Sequence, residues 1–328
     1  MTVPSAADDV ADWAPQQQIR NKIVSDHDGG RRVTDVRVVT VFPDGPGGGN
    51  PAPIVLDAAG MTDAQMQDVA RRHGHESAFV VDASGTGCEL ALRFWVPNHE
   101  MSMCGHATLG AVWLLAQLGR LPREGEGEVR VHTASGVVRA RLTAGEVVIS
   151  QPPGIVEAIT HDAQVDDVLD VLGLTRGDLA DRPLRNATTS RTKTLVPVRD
   201  VARLDTLTPD FDRIAAVCAA IRSTGLYPYA PSGARRFDAR QFPRSSGYPE
   251  DPATGIAAAA LVFGLLADAA VDGDDRPIIV RQGRAMGRPS RITIRLEITR
   301  AGADDLSADG CWIGGVVAGG ARATPAPG

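Results

Sequence analysis

Two stretches of this chain are helix-length, apolar and almost free of charge. "MCGHATLGAVWLLAQLG" spans Met103–Gly119 and "PEDPATGIAAAALVFGLLADA" spans Pro249–Ala269. A helix that is hydrophobic all round is buried on every side or lies in a membrane. Both stretches are shorter than a comfortable span, and Asp268 interrupts the second, so burial inside protein is the expectation. Sheet must then curl around each helix. The expected class is α+β, with two pseudo-symmetric domains, each a curled β-sheet or barrel around a central buried helix.

The surrounding sequence supplies the strands. "VTDVRVVTVF" (33–42) is rich in β-branched residues, and "PDGPGGGNP" after it reads as a glycine-rich turn, Asn50 included. "APIVLD", "ESAFVVD" and "CELALRFWV" read as further strands. "MTDAQMQDVARRHG" reads as an amphipathic helix with a Thr62 cap, ending at Gly74. Later, "TKTLVPV" and "GARRFDARQF" read as strands, and "TPDFDRIAAVCAAIR" as a helix capped by Thr208. "PIIVRQG", "RITIRLEI" and "GCWIGGVVAG" complete the sheet.

The two halves repeat one plan. Arg93-Phe94, a polar loop, then Gly-x-Ala and an apolar helix is matched by Arg236-Phe237, a longer loop, then Thr-Gly-x-Ala and an apolar helix. Expected boundaries are an arm over 1–32, domains over 33–148 and 149–318, and a tail over 319–328. A helix start leaves N–H groups without intrahelical partners. Two such starts at one cleft make an anion site from Gly105, Ala107 and Thr108 on one side and Thr254, Gly255, Ile256 and Ala257 on the other.

Composition excludes some functions. The net charge of -6 argues against a nucleic-acid partner. Cys88, Cys104, Cys218 and Cys311 contain no C-x-x-C pair, which fits a reduced, cytoplasmic setting without a membrane anchor. The histidines show no H-E-x-x-H or other metal-ligand spacing, so no metal is expected. No G-x-G-x-x-G follows a strand and opens a helix, and no Gly-Lys-Ser/Thr is present, so no nucleotide cofactor is expected.

"GNPAPIVLD", "HESAFV", "LRFWVPNHE", "MCGHATLG", "EDPATG" and "QGRAMGRPSRI" occur in this order between Val36 and Gly315. Together they resemble the PhzF-like phenazine-biosynthesis family of isomerases, which has the diaminopimelate epimerase fold. The resemblance implies a cofactor-free, homodimeric isomerase of bacterial secondary metabolism, including antibiotic biosynthesis, acting on a small carboxylate-bearing substrate. It implies that Glu76 is the acid/base, that His106 assists proton movement, and that Asp251 also lies at the site. A carboxylate shielded in a closing cleft has a raised pKa and exchanges protons near neutral pH.

Two departures from the family pattern fall beside these positions. His75 precedes Glu76 where the phenazine-forming member resembles Ser-Glu, and Ile256 stands where that member resembles serine. Loss of a hydroxyl donor to a polar substrate costs about 1–3 kcal/mol. The departures point to a small cyclic amino or imino acid, less polar or alkyl-bearing, rather than the phenazine precursor. Cys104 occupies one of the two positions where related epimerases carry thiols, but Thr254 stands near the other. A helix N-terminus lowers a thiol pKa, so Cys104 remains a candidate contact. A racemase or epimerase and a non-catalytic binding protein are the alternative functions.

Overall fold

The computed structural model describes residues 35–121, 127–143, 146–300 and 306–319. The arm expected over 1–32 and the tail after Gly319 lie outside these residues. The first half runs β1 (Val36–Val41), β2 (Asn50–Val55), α1 (Asp63–His73), β3 (Ser77–Val81), β4 (Leu90–Trp95), β5 (Glu100–Met101), α2 (Gly105–Gln117), β6 (Val129–Thr133), β7 (Gly136–Thr143) and β8 (Glu146–Gln151). The chain continues through β9 (Ile155–Ala158), α3 (Asp162–Leu172), β10 (Arg185–Thr188), β11 (Thr192–Pro197), α4 (Val201–Asp205), α5 (Phe211–Ala220) and β12 (Gly225–Gly233). It ends with β13 (Arg236–Ala239), β14 (Phe242–Pro243), α6 (Gly255–Ala267), β15 (Ile278–Gln282), β16 (Ser290–Arg300) and β17 (Leu306–Ala318).

The strand ladder closes around α2. β1 pairs with β2, β2 with β3, β3 with β4, β4 with β6, β6 with β7, β7 with β8, β8 with β17, and β17 returns to β1 through Thr40–Ala318 and Val41–Val317. A second curled run passes from β9 through β10, β11, β12, β13, β15 and β16 to the same β17. α6 packs against β9, β10, β11, β16 and β17. Strand direction repeats as well. The parallel pairs are β2–β3 and β4–β6 in one half, and β11–β12 and β13–β15 in the other. Arg93-Phe94 and Arg236-Phe237 fall on the corresponding strands β4 and β13. The architecture is the α+β one required by two helices with no solvent face.

Both central helices approach their barrel walls through a glycine. A Cβ on Gly110 of α2 would lie 2.7 Å from Val39 Cγ2 of β1, and one on Gly264 of α6 would lie 2.3 Å from Leu195 Cδ1 of β11. These glycines accept a helix-propensity cost of about 1 kcal/mol each and allow backbone to reach sheet.

Local signals explain the smaller helices. Thr62 and Gln65 form a reciprocal capping box on α1, and Gly74 ends the helix at φ 66°. Thr208 does not cap α5. Asp210 occupies that position, its N–H held by the Val171 carbonyl at 2.8 Å, so the helix starts at Phe211. α3 was not expected from the sequence. Its buried Val165, Val168, Leu169 and Leu172 have helical spacing and are followed by a left-handed Gly173. They pack with Leu204, Ile214 and Cys218 into a second core, separate from the one around α2 and α6. No helix among the described residues is long and apolar enough to cross a membrane.

Candidate active site

α2 and α6 begin beside each other. A Cβ on Gly105 would lie 3.4 Å from Ile256 Cγ1 and 3.7 Å from Ile256 N. The cleft at this meeting point has a volume of about 460 Å³ counting its open mouth. Glu76, Cys104, Gly105, His106, Asp251, Thr254, Gly255 and Ile256 line it. His75, Ala107, Thr108 and Ala257 do not. The Thr108 N–H is taken by the Cys104 carbonyl and the Ala258 N–H by that of Thr254. The first-turn N–H groups ahead of them have no intrahelical acceptor. The Thr108 hydroxyl also turns back to the Cys104 carbonyl, at 2.7 Å. His75 is half-buried, and burial pushes its imidazole down to about 4.

Glu76 follows the Gly74 turn that ends α1 and stands just before β3. It is 6% exposed, and Oε2 has no hydrogen-bond partner. The nearest base is His106, 3% exposed, whose Nε2 lies 3.8 Å from that oxygen and is also unpartnered. Burial pushes the His106 pKa down, against the pull of Glu76. A neutral imidazole beside a carboxylate accepts or relays a proton without bringing a fixed positive charge. Cys104 Sγ lies 3.4 Å from His106 Nδ1. Its thiol is pushed well up by burial and by the charge of Glu76. The helix N-terminus does not win, because a desolvated thiolate next to a carboxylate costs more than a helix dipole returns.

Asp251 is held by a closed set of donors. Asn50 Nδ2 donates to Oδ1 at 2.7 Å and to the Ala253 carbonyl at 3.0 Å, and the Thr254 hydroxyl donates to Oδ2. Gln282 Nε2 donates to the Asp251 carbonyl at 2.6 Å, while Gln282 Oε1 accepts from the Thr254 N–H at 3.2 Å and from the Tyr227 hydroxyl at 3.0 Å. Asn50 is therefore part of the site rather than only a turn residue. Burial raises the Asp251 pKa well above the ordinary carboxyl range, and the Glu76 charge adds to the rise. Two buried carboxyl groups that sense each other do not both ionise readily.

The second half of the chain adds residues that sequence reasoning missed. Arg191, Lys193, Gln241 and Tyr248 line the same cleft, with Met101 and Met103 as its apolar floor. Both polar atoms of the Gln241 side chain lack partners. The Tyr248 hydroxyl faces Glu76 and Ser246 without completing a hydrogen bond of normal geometry. Buried polar atoms are nearly always paired. A cleft with this many unpaired ones can take up a polar ligand. "TKTLVPV" showed only strand propensity, and Gln241 and Tyr248 sit on loops whose course needed the fold. No group of three His, Cys, Asp or Glu side chains able to hold a metal ion occurs among the described residues.

The phenazine biosynthesis-like protein family model matches residues 39–310. An uncharacterised isomerase of Deinococcus radiodurans is 33% identical over 284 residues, covering 83% of this chain and 90% of that protein. One from Escherichia coli K12 is 29% identical over 273 residues, covering 79% and 89%. A crystal structure of a Bacillus anthracis phenazine biosynthesis protein of the PhzF family superposes with a TM-score of 0.74 at 23% identity, over 87% of this chain and 96% of that one. With a family match over residues 39–310 and a relative of this similarity over most of both chains, the chain belongs to the phenazine biosynthesis-like family.

Proposed function

We propose that this protein is an isomerase that moves a proton within a small carboxylate-bearing molecule, using side chains alone for the chemistry. The observation that carries this reading is the unpartnered Glu76 Oε2, 3.8 Å from an unpartnered His106 Nε2, both buried at the cleft. Glu76 takes the proton, and neutral His106 orients or relays it. Protonated Asp251 hydrogen-bonds the substrate and withholds a second negative charge. The first-turn N–H groups of α2 and α6 receive the substrate carboxylate. Domains over 33–148 and 149–318 would bring one helix start each. The relatives' description as isomerases supports the reaction class.

The substrate proposed is a cyclic amino or imino acid with an apolar edge. Ile256, 4% exposed, presents an apolar side chain at the α6 start, and Met101 and Met103 extend that surface. Proton NMR in D₂O tests the assignment. Wild type and Glu76→Gln are incubated with trans-2,3-dihydro-3-hydroxyanthranilate and a panel of unsaturated cyclic amino acids. The expected result is deuterium entering one carbon as a double bond moves, lost by about 10²–10⁴-fold in Glu76→Gln. Exchange at Cα alone would replace the double-bond shift with epimerisation. Binding without exchange in any compound would leave a binding protein.

A further inference from the structure

The cleft contains one group that this mechanism leaves unused. Only two of the 34 basic residues in the chain are lysines, Lys22 and Lys193. Lys22 lies outside the described residues. Arginine makes the ion pairs on the described surface, from Arg37–Asp35 to Arg284–Asp205. Lys193 is on β11, is 4% exposed and faces the cleft. Its amine forms no ion pair or hydrogen bond among the described residues.

Arginine would serve if this wall needed only positive charge, and Arg191 already supplies it two residues away. A guanidinium does not release its proton in a protein, whereas a buried lysine does. The groups that face the amine are Arg191 ahead of β11, Asp251 ahead of α6, Cys218 on α5 and Glu76 ahead of β3. Burial and Arg191 drive its proton off, and the charge of Glu76 opposes them. The balance pushes Lys193 down to about 7.

We propose that Lys193 is a catalytic proton carrier of this cleft, serving the second of the two substrate atoms between which the proton moves. The proposal rests on Glu76 serving the first. Glu76 removes a proton from substrate carbon, and the Lys193 ammonium delivers one to the other end of the shifted double bond. Protonated Glu76 and the neutral amine then exchange with solvent, so the net reaction is isomerisation with no oxidant or reductant. The product proton comes from solvent through Lys193. A shuttle through Glu76 alone would return part of the original proton.

The scarcity of lysine makes the test direct. Protein grown with ¹³Cε-lysine gives two lysine signals, and Lys193→Met identifies one by its loss. The expected midpoint of that signal is about 7, lower in Glu76→Gln and higher in Arg191→Leu. A midpoint above about 9, or one unmoved by both substitutions, overturns the proposal. With a panel compound that reacts, Lys193→Arg and Lys193→Met are both expected to lower kcat about 100-fold or more with little change in binding. Recovery of turnover by Lys193→Arg would assign the residue to fixed charge and overturn the proposal. If no panel compound reacts, the isomerase reading fails and the catalytic role of Lys193 fails with it, whereas turnover with a midpoint above about 9 overturns the lysine role alone.

Discussion

Asn50 and Asp251 are 201 positions apart in sequence and share a hydrogen bond of 2.7 Å. The bond joins the start of β2 to the loop ahead of α6. It brings a carboxyl group from the second half of the chain to the cleft lined by Glu76 and His106 of the first. Asn50→Ala removes the donor from a buried acceptor. The expected cost is about 1–3 kcal/mol in urea denaturation. An unchanged midpoint and slope would mean that Thr254 alone holds Asp251.

Asp251 also makes stability depend on pH. Its pKa is raised in the folded state, so between its unfolded value and its folded value the native protein binds more protons. Stability falls as pH rises through that window. Asp251→Asn is expected to lose this fall and to be more stable than wild type near pH 8. Denaturation series at pH 5 and pH 8 check it, and an equal slope in the two proteins would contradict a protonated Asp251.

Lys193 acts in the opposite direction. Its pKa is lowered from 10.5 to about 7, so the unfolded state binds more protons between those values. The protein gains stability as pH rises from about 7 toward 10, on the order of 4 kcal/mol at most. Lys193→Met is expected to be the more stable protein at pH 6.5, with the difference shrinking toward pH 10. Denaturation of both proteins across this range reads the effect.

Gly110→Ala would place a methyl group 2.7 Å from Val39 Cγ2. Valine is stiff at χ1 and β1 cannot recede from a closed ladder. Overpacking of about 1–3 kcal/mol is expected to outweigh the better helix propensity of alanine. A thermal melt equal to or above wild type would show that the barrel wall yields.

Thiol labelling separates burial from the helix-terminus effect. Cys88 is half-buried, whereas Cys104, Cys218 and Cys311 are buried. Iodoacetamide at pH 8 is expected to modify Cys88 first, with peptide mass spectrometry as the readout. Early modification of Cys104 would mean that the α2 N-terminus holds it as a thiolate, against the upward shift from burial.

Much of this arrangement was legible in the residues. The α2 and α6 sequences have no solvent face, and that alone demanded curled sheet around both. Thr62 and Gly74 announced α1 because caps are local. α3 is equally local, with its valine and leucine spacing and Gly173. Thr208 failed as a cap because a distant carbonyl, that of Val171, fixed Asp210 instead.

The sequence by itself determined which helices are buried, and by family resemblance it singled out Glu76, His106 and Asp251. Periodicity and capping act within a few residues and survive in the unfolded chain. Only the tertiary structure decided that Asn50 holds Asp251, that Cys104 is held as a thiol, and that Lys193 and Gln241 join the cleft. Those outcomes depend on desolvation and on contacts between residues far apart in the chain. Both exist only once the strand ladder has closed.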